Sequence, residues 1–217
     1  QKQISLEDIW SGTFRTEGMQ ALHSMNNGKE YSVLNLDRKD RTASIDIYDY
    51  KTLKKVKTLV SSEAIPEIQG FFDYTFSDDE SKVILTTKER PIYRRSRLGE
   101  YYVYDLKSKR LTKVADEWIQ EPTLSPDGTK IAYGLENNLY VKDLNSGKVT
   151  QITTDGEKNK IINGITDWVY EEEFSFVRAF DWNKNSDQIA FIRFDETNVP
   201  EFSMDVYEDG LYPSQQT

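Results

Sequence analysis

The sequence predicts an all-β fold made of β-propeller blades, each a sheet of four antiparallel strands. Three observations predict it. A phrase of one aromatic or Leu, a polar turn and a β-branched strand recurs along the chain: Phe76 to Thr86, Leu124 to Tyr133, Trp182 to Phe191, and in weaker form Met25 to Val33. Its spacing, about fifty residues, is that of a propeller blade. Each copy is followed by an alternating apolar strand ending in Asp, and helical periodicity is scarce.

Taken in order, residues 1–12 form an N-terminal segment with apolar Ile4, Leu6, Ile9 and Trp10, and residues 13–217 carry the blades. In the blade phrases, Asn27-Gly28 and Asp127-Gly128 supply the positive φ that tight hairpins need. The next strands are Ile45 to Asp49, Tyr101 to Asp105 and Leu139 to Asp143. A polar turn such as Leu144-Asn145-Ser146-Gly147 leads to a last strand, here Lys148 to Thr153. The one short helix expected runs from Trp168 to Phe174, capped by Thr166 or Asp167. About four such units fit the chain, and closed propellers take about four to eight blades. The final residues, Gly210 to Thr217, do not resemble a closing strand, so the chain is expected to be a piece of a larger propeller.

Composition narrows the function. The formal net charge is −9, which repels phosphate backbones and argues against nucleic acid as a partner. No run of about 18 apolar residues spans a bilayer. With no cysteine and a single histidine, His23, disulfide scaffolds, thiolate metal sites and multi-histidine sites are excluded. Aromatic residues reach 12%, with thirteen Tyr and ten Phe, which suits pleated surfaces. The start Gln1-Lys2-Gln3-Ile4 is compatible with a mature end after signal cleavage.

The run Asp167-Trp168-Val169-Tyr170-Glu171-Glu172-Glu173-Phe174 sets dense negative charge among large aromatics. A solvated acidic face normally carries only polar neighbours. With the upstream basic group Lys88, Arg90, Arg94, Arg95 and Arg97, the run suggests a clamp for a ligand that carries both a cation and a carbonyl. Adjacent carboxylates accept charge-assisted hydrogen bonds from an ammonium ion, and a guanidinium can hold a carboxylate and a carbonyl together. A solvated acidic face and a surface basic patch are the alternatives. Trp182 and Phe76 are expected in blade cores, and Tyr170 in packing.

The octet resembles the double-glutamate motif of the dipeptidyl peptidase IV family, serine peptidases of the prolyl oligopeptidase clan. Asn163-Gly164-Ile165-Thr166, Tyr93-Arg94-Arg95-Ser96 and the blade phrase Leu124-Ser125-Pro126-Asp127-Gly128 are similar to that family as well. The resemblance implies the first half of an eight-bladed propeller that precedes an α/β-hydrolase domain, in an enzyme that releases X-Pro or X-Ala dipeptides from peptide N-termini. It implies that Glu172 and Glu173 hold the substrate ammonium and that Arg94, with Arg95 as second choice, holds a substrate carbonyl. Glu171 would then face solvent or a local basic group. Residues 1–12 would pack on the hydrolase domain, and a homodimer is implied. No metal or organic cofactor is implied. The absence of cysteine and of an Asn-x-Ser/Thr sequon points to a bacterial source, and to a periplasmic or secreted protein with its signal peptide removed. The chain holds no Gly-x-Ser-x-Gly elbow and its one histidine lies near the N-terminus, so no Ser-His-Asp triad is expected from these residues. The alternative from another class is a stand-alone periplasmic propeller that serves as a protein-binding scaffold. Tripeptidyl and acylaminoacyl peptidases of the same clan fit the glutamate pair less well.

Overall fold

Antiparallel sheets dominate the computed structural model, which describes residues 3–16, 18, 20–37, 39–208 and 210–216. The chain divides into two compact units, Gln1–Ala64 and Ile65–Thr217.

The first unit opens with a short helix, α1 (Leu6–Trp10), whose N-cap Ser5 and Asp8 form a reciprocal capping box. Its apolar side chains are exposed, Trp10 at 86%. One blade follows: β1 (Leu22–Ser24), β2 (Glu30–Asp37), β3 (Thr42–Asp49) and β4 (Lys55–Ser61), in that order in the sheet. Val33, Ala43, Ile45, Ile47 and Val60 are its buried apolar residues. Asp46 is buried beside them and satisfied three times over, by Asn35 Nδ2 at 2.8 Å, Thr58 Oγ1 at 2.7 Å and Lys55 Nζ at 2.8 Å. A buried carboxylate without such donors would cost far more than it could return.

The second unit contains two further complete blades. One is β5 (Asp73–Phe76), β6 (Lys82–Pro91), β7 (Arg97–Asp105) and β8 (Leu111–Lys113). The other is β9 (Gln120–Leu124), β10 (Lys130–Leu135), β11 (Asn138–Asp143) and β12 (Val149–Gln151). They pack through Ile84 and Val103 of one against Ile131, Tyr133 and Leu144 of the other, joined by Val114 and Ile119. A second core links Ala132 and Leu139 to Ile165, Val177 and Phe180 of the segment that follows.

That segment departs from the blade pattern. It comprises β13 (Ile161–Asn163), the helix α2 (Trp168–Phe174), β14 (Phe180–Trp182), β15 (Ile189–Phe191) and β16 (Arg193–Asp195). Two ladders of two strands form, β13 with β16 and β14 with β15. The repeated phrase at Trp182 therefore produces its hairpin, but α2 stands where a plain strand connection would run. Beyond it, β17 (Met204–Val206) and β18 (Ser214–Gln216) pair with each other. Gly210 to Thr217 was not expected to form a closing strand; Ser214–Gln216 does form a short strand, but among the described residues it pairs with β17 and with no strand of the first blade.

The repeat is a repeat of hydrogen bonds. In the blade phrase, Asp127 Oδ1 accepts from Thr129 N at 3.0 Å, Asp79 Oδ1 from Ser81 N at 3.0 Å, and Asn27 Oδ1 from Lys29 N at 2.9 Å. The left-handed residue between them is Gly128, Glu80 and Gly28 respectively, and Ser186 takes the same place in the last copy. Glycine is thus the low-strain option there, not a requirement. The strand-ending aspartates act alike: Asp49, Asp105 and Asp143 accept from the backbone N–H of Thr52, Ser108 and Ser146, each at 2.7 Å. These Asx turns explain why Asp closes each of those strands.

Candidate functional site

The acidic run begins where Asp167 caps α2, accepting from Tyr170 N at 2.7 Å. Asp167, rather than Thr166, is the cap; Thr166 Oγ1 donates instead to the Phe176 carbonyl at 3.2 Å. The helix ends at Ser175, which adopts the left-handed conformation at φ 62. Seven residues at 3.6 per turn send successive side chains about 100° apart, so the three glutamates cannot share a face.

They do not. Glu171 points inward and is 1% exposed, the one buried side chain of α2, while Glu173 faces solvent. Glu172 lies between these extremes, with its side chain 25% exposed. The aromatics reverse the usual pattern: Trp168 and Phe174 are on the outside. Tyr170 keeps to packing, 4.9 Å from the Phe194 ring centroid and 5.0 Å from that of Phe174.

The partner element is the hairpin β6–β7, whose tip spans residues 92–96. Ile92 N donates to the Ser96 carbonyl at 2.9 Å, and Tyr93 N to Ser96 Oγ at 3.2 Å. Arg94 Nη1 reaches Glu172 Oε2 at 2.9 Å, across 78 positions of sequence. One oxygen of Glu171 accepts from two consecutive amides of the tip, Arg95 N at 2.5 Å and Ser96 N at 3.0 Å. Two adjacent N–H groups aimed at one anion make a small backbone nest.

The sequence reading left Glu171 to solvent or to a local basic group; the solvent alternative is overturned, and Glu171 meets the basic hairpin tip through its backbone, with the Arg95 charge close by. The donors are backbone amides, which have no residue-type signature, so spacing alone could not reveal them. Burial pushes the Glu171 carboxyl up, but the hydrogen bonds from Ser96 and from the Arg95 amide, with the Arg95 charge, outweigh it, and the group lies below the ordinary glutamate range.

Arg94 and Glu172 are brought together; Arg95 contributes its backbone, and Glu173 has no polar partner among the described residues. The exposed pair is weak by itself. With the Arg94 side chain 69% exposed, it contributes about 0–1 kcal/mol. A second acid nearby escaped the sequence reading. Glu121 sits at a bulge in β9, where the register with β10 shifts, and holds φ 51, unusual for a side-chain-bearing residue. Burial raises its carboxyl, Arg178 pulls it back, and the Glu171 charge adds to the rise, leaving it above the ordinary range. Glu121-Pro122 gives a weak signal of a break in the strand, because the residue before proline is restricted.

Among the described residues, no cluster of His, Cys, Asp or Glu could hold a metal ion, and no helix is long and apolar enough to cross a membrane. What the site offers is anionic and guanidinium groups held side by side, suited to binding a ligand of mixed charge.

A propeller segment with an acidic helix docked on a basic hairpin tip is the class that fold and site define. The model of the dipeptidyl peptidase IV N-terminal region matches residues 77–217. The chain belongs to that family. It is similar to human prolyl endopeptidase FAP, 31% identical over 98% of this chain and 27% of the relative, and to dipeptidyl peptidase 4 of Trichophyton rubrum, 37% identical over 70% of this chain and 20% of the relative. The crystal structure of Porphyromonas gingivalis dipeptidyl peptidase 4 superposes with a TM-score of 0.86 at 35% identity, covering 100% of this chain and 31% of that one. The chain thus spans between a fifth and a third of the length of these relatives.

Proposed function

We propose that this chain is the N-terminal propeller part of a serine exopeptidase that releases X-Pro or X-Ala dipeptides, and that Glu172, Glu173 and Arg94 hold the amino end of the substrate. The observation that carries the reading is the 2.9 Å pair between Arg94 and Glu172, two residues from distant parts of the chain. A free amino terminus is an ammonium ion with three donors. Glu172 and Glu173, on neighbouring positions of α2, are suited to accept from it, while Arg94 keeps donors for a substrate carbonyl. An internal or blocked residue offers no such cation, so the same acids would limit how far a peptide enters. Paired acids of like charge resist joint ionisation unless a cation compensates, and Arg94 beside Glu172 supplies that cation.

Capture without a nucleophile positions a substrate but does not cleave it. The nucleophile belongs to a hydrolase domain, against which residues 1–12 would pack through the exposed face of Leu6, Ile9 and Trp10. A periplasmic or secreted location and a homodimer belong to the same proposal. No observation favours the stand-alone scaffold over it. The test is release of dipeptide from Ala-Pro and Gly-Pro amides by the full-length enzyme, before and after Glu172→Ala and Glu173→Ala. Unchanged turnover in both variants would defeat the clamp.

A further inference from the structure

The exposed ion pair is too weak to hold the hairpin tip where Arg94 must stand. An arginine side chain that is mostly in water keeps many rotamers, and a surface pair does little to select one. Yet Arg94 has to present its guanidinium in a fixed place if it is to meet a substrate carbonyl. The backbone on which it stands is fixed by something else. Arg95 and Ser96, the next two residues, both give their amide hydrogens to the buried Oε1 of Glu171. The helix therefore grips the hairpin twice with consecutive residues: Glu171 takes the backbone after Arg94, and Glu172 takes the Arg94 side chain. The first grip is charge-assisted, buried at Ser96 and part-buried at Arg95; the second is solvated.

We propose that Glu171 is a positioning residue for substrate binding: by holding the Arg95–Ser96 amides in its nest, it places the Arg94 guanidinium beside Glu172 before substrate arrives. This rests on the reading that Arg94, Glu172 and Glu173 hold the peptide amino end. Glu171 itself touches no substrate in this scheme. Its carboxylate is occupied by the tip and buried away from the surface that Glu172 and Glu173 share with solvent. The run of three glutamates thus divides into one that builds the site and two that use it. Helix geometry favours the division, because three successive side chains fan over about 200° and cannot all face one ligand, whereas two neighbours about 100° apart can converge on it.

The experiment is steady-state kinetics of the full-length enzyme on an Ala-Pro amide, with Glu171→Ala made in the parent and in an Arg94→Ala background. Glu171→Ala is expected to raise KM about tenfold with kcat within about threefold, the pattern of lost uniform binding. In the Arg94→Ala background the same substitution should raise KM by less than about twofold, since residues that act through one another are not additive. An equal rise in both backgrounds would mean a structural effect unrelated to Arg94 and would overturn the proposal, as would an unchanged KM in the parent. If Glu171→Ala does not fold, Glu171→Gln decides. It keeps an acceptor oxygen at the same reach and is expected to raise KM about threefold in the parent and not at all beside Arg94→Ala, since only the charge is lost from the nest. An unchanged KM for Gln in the parent, or equal rises in both backgrounds, would overturn it. Failure of the underlying reading looks different: Arg94→Ala and Glu172→Ala would then leave KM unchanged.

Discussion

On the proposed reading, removal of Glu172 should separate binding from folding. In Glu172→Ala the free protein loses one solvent-exposed ion pair to Arg94, for which about 0–1 kcal/mol is expected. The thermal midpoint of the full-length enzyme should therefore move little. If Glu172 holds the substrate as proposed, the bound substrate loses a hydrogen bond between an ammonium and a carboxylate, which contributes about 1.5–3 kcal/mol. Because the Glu172 side chain retains 25% of its exposure, the lower half of that range applies, and kcat/KM should fall about ten- to fiftyfold. The assay compares two amides of equal shape, one with a free alanyl amine and one with a propionyl group in its place. The variant should lose its factor only on the amine, and be no worse than the parent on the propionyl compound. Equal losses on both would refute the ammonium contact, and an intact kcat/KM on the amine would refute the site.

Three further outcomes follow from the geometry. In Gly164→Ala, the new Cβ would come 2.5 Å from Leu139 Cδ2 at a residue held at φ +74. Overpacking of about 1–3 kcal/mol, with about 1–2 kcal/mol more for the left-handed backbone, should appear as a lowered denaturant midpoint of the full-length enzyme; an unchanged midpoint would contradict the packing described. Burial raises the Glu121 carboxyl more than the Arg178 charge lowers it, so the folded state binds its proton more readily than the unfolded state does. The stability this gives is present in acid and is lost as pH rises through the folded value, so Glu121→Gln should raise the melting temperature at pH 8 more than at pH 4, and the opposite order would show the sign to be wrong. On the proposal that the nucleophile belongs to a hydrolase domain, the 217-residue chain alone should release nothing from an Ala-Pro amide; turnover above a buffer blank would contradict this.

The blades were legible because their signals are local. Asp127-Gly128 names its turn by composition, and Asp49, Asp105 and Asp143 mark strand ends by a side chain that bonds its own backbone a few residues on. Such chemistry needs no knowledge of the rest of the chain. The helix was legible for the same reason, since Asp167 bonds an amide three residues away. Less visible was the loss of the four-stranded pattern after β12. The phrase at Trp182 carries the same turn as the others, but whether its hairpin gains outer strands depends on what α2 and the segment after Ile192 do in space.

At the site the boundary between legible and hidden falls between adjacent residues. Charge marked the whole acidic run and the basic group upstream, the family resemblance singled out Arg94 and Glu172 among them, and these two meet at 2.9 Å. Glu171 has the same charge and the same neighbours in sequence, yet it is buried among backbone donors that any residue type could have supplied. A buried acid is tolerable only when its hydrogen bonds are complete, so its burial is set by the hairpin that reaches it and not by its own chemistry. The helix could not bury an aromatic in its place without leaving the buried Ser96 amide unpaired, a cost of about 1–3 kcal/mol, and the part-buried Arg95 amide without its acceptor. That cost explains the inverted helix, with Trp168 and Phe174 outside and a glutamate within, and it ties the odd composition of the octet to the hairpin tip rather than to the ligand alone.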